Sequence, residues 1–152
     1  LQARQCDLTK PETYQGLTLH GANLGLVVSY FDDETVLTML QRISATLVQC
    51  GIFFLYMLHP VHEAILTGRN VHLPRDLTER RPELASATDS QEYCRGADVI
   101  PRLLSRAGFA IPEVIDFVEP GDKDGFFLLG HDAEGKPVAI PSYRLFVCLK
   151  TI

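Results

Sequence analysis

Two apolar runs flank an amphipathic segment in the first half of the chain. Residues Asn23–Tyr30 form a short continuous apolar run, typical of a strand that is covered on both faces. Apolar residues then recur at helical spacing through Asp33–Gln49, and Ile52–Leu58 is a second apolar run. A strand, a helix and a strand in succession predict a βαβ unit and therefore a parallel sheet.

The ends of these three elements carry signals of their own. Asp32 or Asp33 can accept a hydrogen bond from the first turn of the helix, and Gly51 can end the helix. The second strand ends at His59 because Pro60 has no backbone N–H to donate to a neighbouring strand.

The second half of the chain repeats the helix-then-strand pattern and closes with short strands. A helix is predicted over Asp98–Ala107 with Gly108 as its stop, followed by a strand over Phe109–Val118. The polar turn at 131–136 between two apolar runs predicts a hairpin, and Tyr143–Leu149 is the last strand. The pattern as a whole predicts one α/β domain over residues 1–152, in which residues 66–97 lack periodicity and form a variable lid or substrate loop.

Composition narrows the classes of function. The net charge is −5, and the one basic stretch, Arg75–Arg81, also contains Asp76 and Glu79, so we expect binding to neither nucleic acid nor an anionic membrane. The longest apolar run, Ile52–Leu58, is far shorter than the roughly 20 residues of a membrane-spanning helix. The four cysteines form no CxxC pair, which favours reduced thiols and a cytoplasmic location.

A histidine-rich segment follows the second predicted strand. His59 and His62 lie beside Glu63, but Leu66 stands where the HExxH zinc motif needs its second histidine, so we predict no metal site. Ligands bind outside the carboxyl ends of strands in open α/β sheets. His59 or His62 can therefore orient or deprotonate a substrate there, and the alternative is a role in capping and loop packing.

Two glycine-bearing segments resemble nucleotide-binding loops only in part. Gly130–Pro137 nearly matches GxxxxGK[ST], but Pro137 replaces the hydroxyl residue and a strand follows, which favours a hairpin turn. Gly21–Gly25 precedes a strand instead of following one, so we interpret it as a turn.

The order of these pieces resembles the carboxy-terminal part of class I S-adenosylmethionine-dependent methyltransferases, from the third strand of that family onward. The resemblance covers most of the chain and is carried by five segments. They are the acidic loop Gln2–Pro11, the run Asn23–Tyr30, the turn into a strand at Gln49–Leu55, the helix end Leu103–Phe109 and the final strand Tyr143–Lys150.

The resemblance implies a Rossmann-like, mostly parallel sheet with a C-terminal antiparallel hairpin, S-adenosylmethionine as cofactor and a small-molecule methyl acceptor. It places Asp7 and Leu8 beside the adenine of the cofactor, and Ser29 and Tyr30 at the point of methyl transfer. In this picture His59 or His62 orients the attacking group of the acceptor.

Three departures from the family pattern bear on function. Gly25 stands where the family usually has Asp, and Cys50 stands where it has glycine. The first βαβ unit, with its GxGxG loop and ribose-binding acid, has no counterpart in the sequence. The chain is therefore expected to be a methyltransferase or a fragment of one, or else an inactive module that forms a homo-oligomer or pairs with a complementing chain. An unrelated α/β binding domain is the third alternative.

Overall fold

The computed structural model describes residues 6–59, 75–81, 92–117, 129–131, 134–135, 137–139, 141 and 143–151. Within these residues the α-helices are α1 (Asp33–Thr46) and α2 (Val99–Arg106). The strands are β1 (Leu19–Gly25), β2 (Leu47–Leu58), β3 (Thr78–Arg81), β4 (Glu92–Arg95), β5 (Phe109–Phe117), β6 (Leu129–His131), β7 (Pro137–Ala139) and β8 (Tyr143–Lys150). Short 3-10 turns occupy Pro11–Tyr14 and Val28–Tyr30. No helix among the described residues is long and apolar enough to cross a membrane.

The central sheet has four strands in the order β1-β2-β8-β5. β1 pairs parallel to β2, whereas β8 pairs antiparallel to both β2 and β5. β1, β2 and β5 therefore run in one direction, and only β8 runs against them. Two antiparallel pairs, β3–β4 and β6–β7, stand apart from this sheet. The predicted α/β fold with a mostly parallel sheet and an antiparallel C-terminal part is confirmed.

One face of the sheet, here called the helix face, packs against α1 and α2. Phe53, Leu55, Phe146 and Cys148 project from it and are at most 1% exposed. The side chains that α1 and α2 contribute to the same core are apolar and nearly fully buried; they are Val36, Met39, Leu40, Ile43, Val99, Ile100, Leu103 and Leu104. Burial of each large apolar side chain stabilises a fold by roughly 1.5–3 kcal/mol, so this layer supplies most of the driving force.

The opposite face of the sheet, here called the outer face, is apolar and open to solvent. Ile52 pairs with Leu149 across β2 and β8, and the two side chains are 41% and 37% exposed. Phe54 lies two residues along β2 and is 38% exposed, and Ile115 on β5 has the same exposure. Because residues paired in register or two apart along a strand share one face, these four side chains form a single apolar surface.

The first strand lies earlier in the chain than the apolar run predicts. The run Asn23–Tyr30 is split, because β1 ends at Gly25 and the next residue, Leu26, has a left-handed φ of 54°. The Leu26 N–H still donates to the Tyr56 carbonyl, at 2.8 Å, and the chain then turns. Val28 lies in that turn and not in a strand, yet its side chain is buried. Because it is as apolar as a strand residue, the sequence pattern extended the predicted strand too far.

Helix α1 also ends earlier than predicted. It stops at Thr46 instead of Gln49, and Leu47 already begins β2. Gly51 therefore lies inside β2 and does not end the helix, and its neighbour Cys50 has a left-handed φ of 59°. The amino-terminal cap is confirmed, because Asp32 Oδ1 accepts from the Thr35 N–H at 2.8 Å.

The elements predicted for the second half are confirmed within a few residues. α2, β5 and β8 lie inside or close to their predicted ranges, and Gly108 follows α2 with a φ of 87°. Asp98 stands at the N-cap of α2 but makes no side-chain bond to the first turn. The predicted C-terminal hairpin corresponds to the pair β6–β7. In the predicted lid, residues 66–97, the structure has the antiparallel pair β3–β4, which the sequence pattern did not reveal.

Candidate functional site

The carboxyl ends of β1 and β2 lie side by side, because the two strands are parallel and Gly25 pairs with Tyr56. The Val28–Tyr30 turn follows β1, and His59 follows β2. A narrow cleft opens at this edge, lined by Val28, Ser29, Met57, Leu58, Tyr93 and Arg95. This is where an open α/β sheet binds its ligands. In this conformation the cleft leaves no room for a water molecule.

Arg95 closes one side of the cleft. Its side chain is 2% exposed and carries a charge, which is unfavourable unless the guanidinium is paired and hydrogen-bonded. Nε lies 2.8 Å from Asp33 Oδ1, Nη1 donates to the Val28 carbonyl at 2.8 Å, and Nη2 donates to the Phe31 carbonyl. The guanidinium also lies over the Tyr93 ring, 5.7 Å from its centroid. Three N–H donors of the buried Arg95 guanidinium are therefore bound to groups of the protein itself.

His59 belongs to a charged cluster on the helix face of the same edge. The residue is 7% exposed, and its Nε2 lies 3.3 Å from Asp116 Oδ2 and 3.1 Å from Arg144 Nη2. Arg144 in turn donates through Nε to Asp116 Oδ1 at 2.6 Å and through Nη2 to Oδ2 at 2.8 Å. The hydrogen bonds and charge of Arg144 hold the pKa of the Asp116 carboxyl below its usual value. Asp116 thus stays ionised beside His59.

The ring nitrogen of His59 that carries the proton decides which neighbour Nε2 binds. A neutral ring with its proton on Nδ1 accepts from Arg144 through the Nε2 lone pair. A ring protonated on Nε2 instead donates to Asp116 and faces the Arg144 cation. Asp116 and Arg144 are therefore alternative partners of Nε2, and the position of the ring proton selects between them.

Three aromatic rings occupy the outer face at the same edge. The Tyr56 and Tyr143 ring centroids are 5.0 Å apart, and Phe117 lies 5.6 Å from Tyr56 and 5.8 Å from Tyr143. The Tyr56 ring lies against Gly25, where a Cβ would meet its Cδ1 at 3.9 Å. Gly25, a departure from the family pattern noted in the sequence, thus adjoins an aromatic ring here.

The predicted adenine-binding residues lie at the open side of β1. Asp7 Oδ1 accepts from the Thr9 backbone N–H at 2.8 Å and from Thr9 Oγ1 at 2.7 Å. These hydrogen bonds lower the pKa of this exposed carboxyl, so it remains charged near neutral pH. The Leu8 carbonyl accepts from the Tyr14 hydroxyl at 2.8 Å, and burial raises the pKa of Tyr14.

Leu8 lines a pocket of about 300 Å³ between β1, α1 and the amino-terminal segment. Its wall is mostly apolar and includes Cys6, Tyr14, Leu19, Leu24 and Ile43. A volume of this size is at the lower end of those that hold small organic ligands.

The structure brings some of the predicted site residues together and separates others. Ser29 lines the cleft, and Tyr30 beside it is 48% exposed. His59 lies at the same edge but contacts the Asp116–Arg144 pair. Leu8 lines the other pocket, and His62 lies outside the described residues.

Sequence reasoning missed four residues that shape this edge: Asp33, Arg95, Asp116 and Arg144. Arg95 and Asp33 are far apart in sequence, and only the β3–β4 pair brings them into contact. Asp116 shares β5 with Glu113, and Arg144 shares β8 with Lys150, so charge alone did not single out either residue in the sequence.

Several solved structures are similar in fold to this chain. An S-adenosylmethionine-dependent methyltransferase from Mesorhizobium loti superimposes with a TM-score of 0.63 over 96% of this chain, at 19% identity. The chain has a methyltransferase fold. A second S-adenosylmethionine-dependent methyltransferase, from Clostridium acetobutylicum, gives a TM-score of 0.61 over 97% of the chain at 11% identity. A glycopeptide N-methyltransferase complexed with S-adenosyl-L-methionine gives 0.57 over 95% of the chain at 14% identity.

At these sequence identities the similarity shows a shared fold and nothing beyond it. The chain spans 68% of the Mesorhizobium structure, 63% of the Clostridium structure and 58% of the glycopeptide N-methyltransferase. No family model and no curated protein sequence matches the chain.

Proposed function

We propose that this chain carries the acceptor side and one edge of the cofactor site of an S-adenosylmethionine-dependent methyltransferase that acts on a small molecule. The observation that supports it best is the fold likeness over 96% of the chain, with a cleft at the carboxyl ends of the two paired parallel strands. The cofactor would supply the methyl group, so the protein needs to position and desolvate the two reactants more than to react with them.

The cofactor side of the proposed site is formed by Asp7 and Leu8. Both Thr9 bonds use Oδ1 of Asp7, which leaves the exposed Oδ2 oriented by the same turn. An ionised carboxylate accepts a hydrogen bond from an exocyclic adenine amine, and the apolar pocket beside Leu8 suits a flat ring. The residues present thus fit the adenine end of S-adenosylmethionine.

The acceptor side consists of Ser29, Tyr30 and the histidines. Ser29 lines the cleft and the Tyr30 ring is half exposed, which supports the proposed role of both residues beside the transferred methyl group. In this proposal neutral His59 takes the acceptor proton through a ring nitrogen and is then stabilised as a cation by Asp116. His62 is a second candidate for the same role.

Calorimetric titration with S-adenosylhomocysteine tests the cofactor half of the proposal. We expect saturable binding to the chain, weakened about tenfold by Asp7→Ala, a change of about 1.4 kcal/mol. Glu12→Ala is the matched control, because Glu12 is an exposed carboxylate in the adjoining turn. A folded chain that does not bind S-adenosylhomocysteine would contradict the proposal.

Replacement of His59 and His62 by alanine tests the proton-transfer role. Loss of a general base lowers a rate by about 10²- to 10⁴-fold. Methyl transfer at an unchanged rate in both variants would exclude the two histidines from catalysis.

A second candidate function, a catalytically inactive module that pairs with another chain, is favoured by the outer face. Parallel sheets are normally covered on both faces, but α1 and α2 pack on the helix face and leave Ile52, Phe54 and Ile115 exposed. Within the described residues β1 pairs only with β2, so its other edge offers free backbone groups to a partner strand.

Sedimentation velocity distinguishes the two candidates. Pairing through the outer face predicts association that rises with concentration and that Ile115→Lys abolishes. Val114→Lys is the control, because Val114 is the adjacent exposed residue and points to the opposite face. A monomer at every concentration would count against the paired module.

A further inference from the structure

We infer that Arg95 is a positioning residue that fixes the Val28–Tyr30 turn, and with it Ser29, by anchoring the β3–β4 pair to the carboxyl end of β1. The inference rests on the proposed function in one respect, namely that Ser29 and Tyr30 border the methyl-transfer point. Its structural part, the anchoring itself, stands on contacts alone.

The first observation is where the two backbone bonds of Arg95 fall. Nη1 binds the carbonyl of Val28 and Nη2 binds the carbonyl of Phe31, so the bonds span the turn that contains Ser29 and Tyr30. The turn's own bonds are weak in comparison: the Tyr30 and Phe31 amides reach their carbonyl acceptors at 3.2 and 3.4 Å. The position of Ser29 therefore depends more on Arg95 than on the turn itself.

The second observation is that Asp33 binds both strands of the β3–β4 pair. Thr78 on β3 and Arg95 on β4 are cross-strand partners, and they donate to Oδ2 and Oδ1 of Asp33, at 2.9 and 2.8 Å. Asp33 is the first residue of α1, whose other side chains pack into the core. One buried guanidinium thus links the core helix, the β3–β4 pair and the turn after β1.

The third observation is an aromatic ring that lies beside Arg95 and lines the cleft. Tyr93 precedes Arg95 by two residues on β4, and its ring lies under the guanidinium and lines the cleft with Ser29. Arg95 therefore sets the distance between the β1 side and the β4 side of the cleft. The planar geometry of arginine is needed, because a lysine ammonium cannot reach two carbonyls and a carboxylate with the same fixed fork.

Amide hydrogen exchange on Arg95→Lys tests the structural part. We expect the amides of Tyr30, Phe31 and Gly96 to exchange at least tenfold faster than in the wild type, while amides in the middle of β2 are unchanged. Arg75→Met is the control, because Arg75 makes an ion pair with Asp98 in which both side chains are more than half exposed. Arg75→Met should leave the exchange rates of the Tyr30 and Phe31 amides unchanged.

Arg95→Lys keeps the positive charge next to Asp33, so it removes the fork without removing the cation from the Asp33 carboxylate. Wild-type exchange at Tyr30 and Phe31 in this variant would overturn the proposal. Equally faster exchange throughout α1 and β2 would also overturn it, because Arg95 would then support the whole fold and not the turn.

Titration of the same variants with S-adenosylhomocysteine tests the functional part. We expect Arg95→Lys to weaken binding about tenfold with the β2 amides still protected, and Arg75→Met to bind like the wild type. If the wild type itself does not bind S-adenosylhomocysteine, the proposed function fails, whereas the exchange measurement still decides the role of Arg95. Full affinity in Arg95→Lys despite a loosened turn would remove Ser29 and Tyr30 from the cofactor site.

Discussion

Arg144 and Asp116 face each other in register across β8 and β5, and two hydrogen bonds of 2.6 and 2.8 Å join them side by side. Two parallel hydrogen bonds of this kind are among the stronger charged contacts in proteins, because two N–H donors of the planar guanidinium meet both oxygens of the carboxylate. Since His59 contacts the same two groups, the pair links the strand that ends at the cleft to the far edge of the sheet.

Lowering the pH should reduce the contribution of the Asp116–Arg144 pair to the stability of the fold. The folded-state pKa of Asp116 lies below its unfolded value, chiefly because Arg144 donates to it. A depressed folded pKa contributes stability at pH values above the unfolded pKa, near 4, and that contribution is lost as the pH falls through the folded pKa. Asp116→Asn should therefore lower the free energy of unfolding by about 1 kcal/mol at pH 6, and this difference from the wild type should shrink below pH 4.

Urea unfolding of both proteins between pH 6 and pH 3 measures this difference. Glu113→Gln, an exposed change on the same strand, should stay within about 0.5 kcal/mol of the wild type at each pH. A difference between Asp116→Asn and the wild type that is independent of pH would show that the charge of Asp116 does not stabilise the fold.

Cys50 offers a stabilising substitution. It is a non-glycine residue with a φ of 59°, a conformation that costs most L-residues about 1–2 kcal/mol. Part of the gain on replacing it by glycine is offset by the greater freedom of glycine in the unfolded chain. We expect Cys50→Gly to raise the free energy of unfolding by about 0.5–1 kcal/mol.

Two neighbouring variants check the explanation. Cys50→Ser removes the thiol and keeps the strained conformation, so its stability should match that of the wild type. Gly51→Ala should lower stability by about 1–3 kcal/mol, because the new Cβ would lie 2.8 Å from the Val48 carbonyl oxygen. Equal stabilisation by serine and glycine at position 50 would contradict the conformational argument.

The positions of the main elements followed from hydrophobic periodicity, because α1, α2, β2 and β8 each bury one regular set of side chains. The limits of β1 could not be predicted in this way. Val28 is as apolar and as buried as a strand residue, and the left-handed φ of Leu26 that separates it from β1 leaves no mark on composition.

The site was less predictable than the fold. Parallel pairing of two apolar runs correctly placed Ser29 and His59 at one edge of the sheet. The partners of these residues depend on contacts between distant segments: Arg95 meets Val28 from 67 residues away, and Arg144 meets His59 from 85 residues away. A single sequence carries no signal of such pairings, since each arginine alone is indistinguishable from a solvated surface charge.

The four free cysteines should differ sharply in reactivity. Cys6 and Cys50 are exposed, whereas Cys94 is 7% exposed and Cys148 is fully buried. Burial raises the pKa of the Cys148 thiol to about 12, so it forms little thiolate at any pH at which the protein is handled. Because the thiolate is the reactive form, we expect an aromatic disulfide reagent at pH 8 to modify two thiols rapidly and the other two only after unfolding.

Cys50→Ser serves as the control for this titration and should reduce the rapid phase to one thiol. Addition of denaturant should release the remaining groups in both proteins. Four thiols reacting at one rate in the native protein would contradict the burial of Cys94 and Cys148.

The two helices provide a matched test of capping. Asp32 and Asp98 both occupy the N-cap position, but only Asp32 accepts a backbone bond, from the Thr35 N–H at 2.8 Å. That bond satisfies one of the amides that a helix leaves without an internal partner, so its loss costs about 0.5–2 kcal/mol. We expect Asp32→Ala to lower the free energy of unfolding by that amount in urea denaturation at pH 7.

Asp98→Ala removes an aspartate at the same helix position without removing a cap bond. Its carboxylate forms an exposed ion pair with Arg75, 3.1 Å away, and such pairs contribute about 0–1 kcal/mol. At high salt the ion pair is screened, so the cost of Asp98→Ala should fall toward zero while the cost of Asp32→Ala largely persists. Equal losses for the two variants at high salt would show that the Asp32 bond adds nothing beyond the charge of an aspartate near a helix terminus.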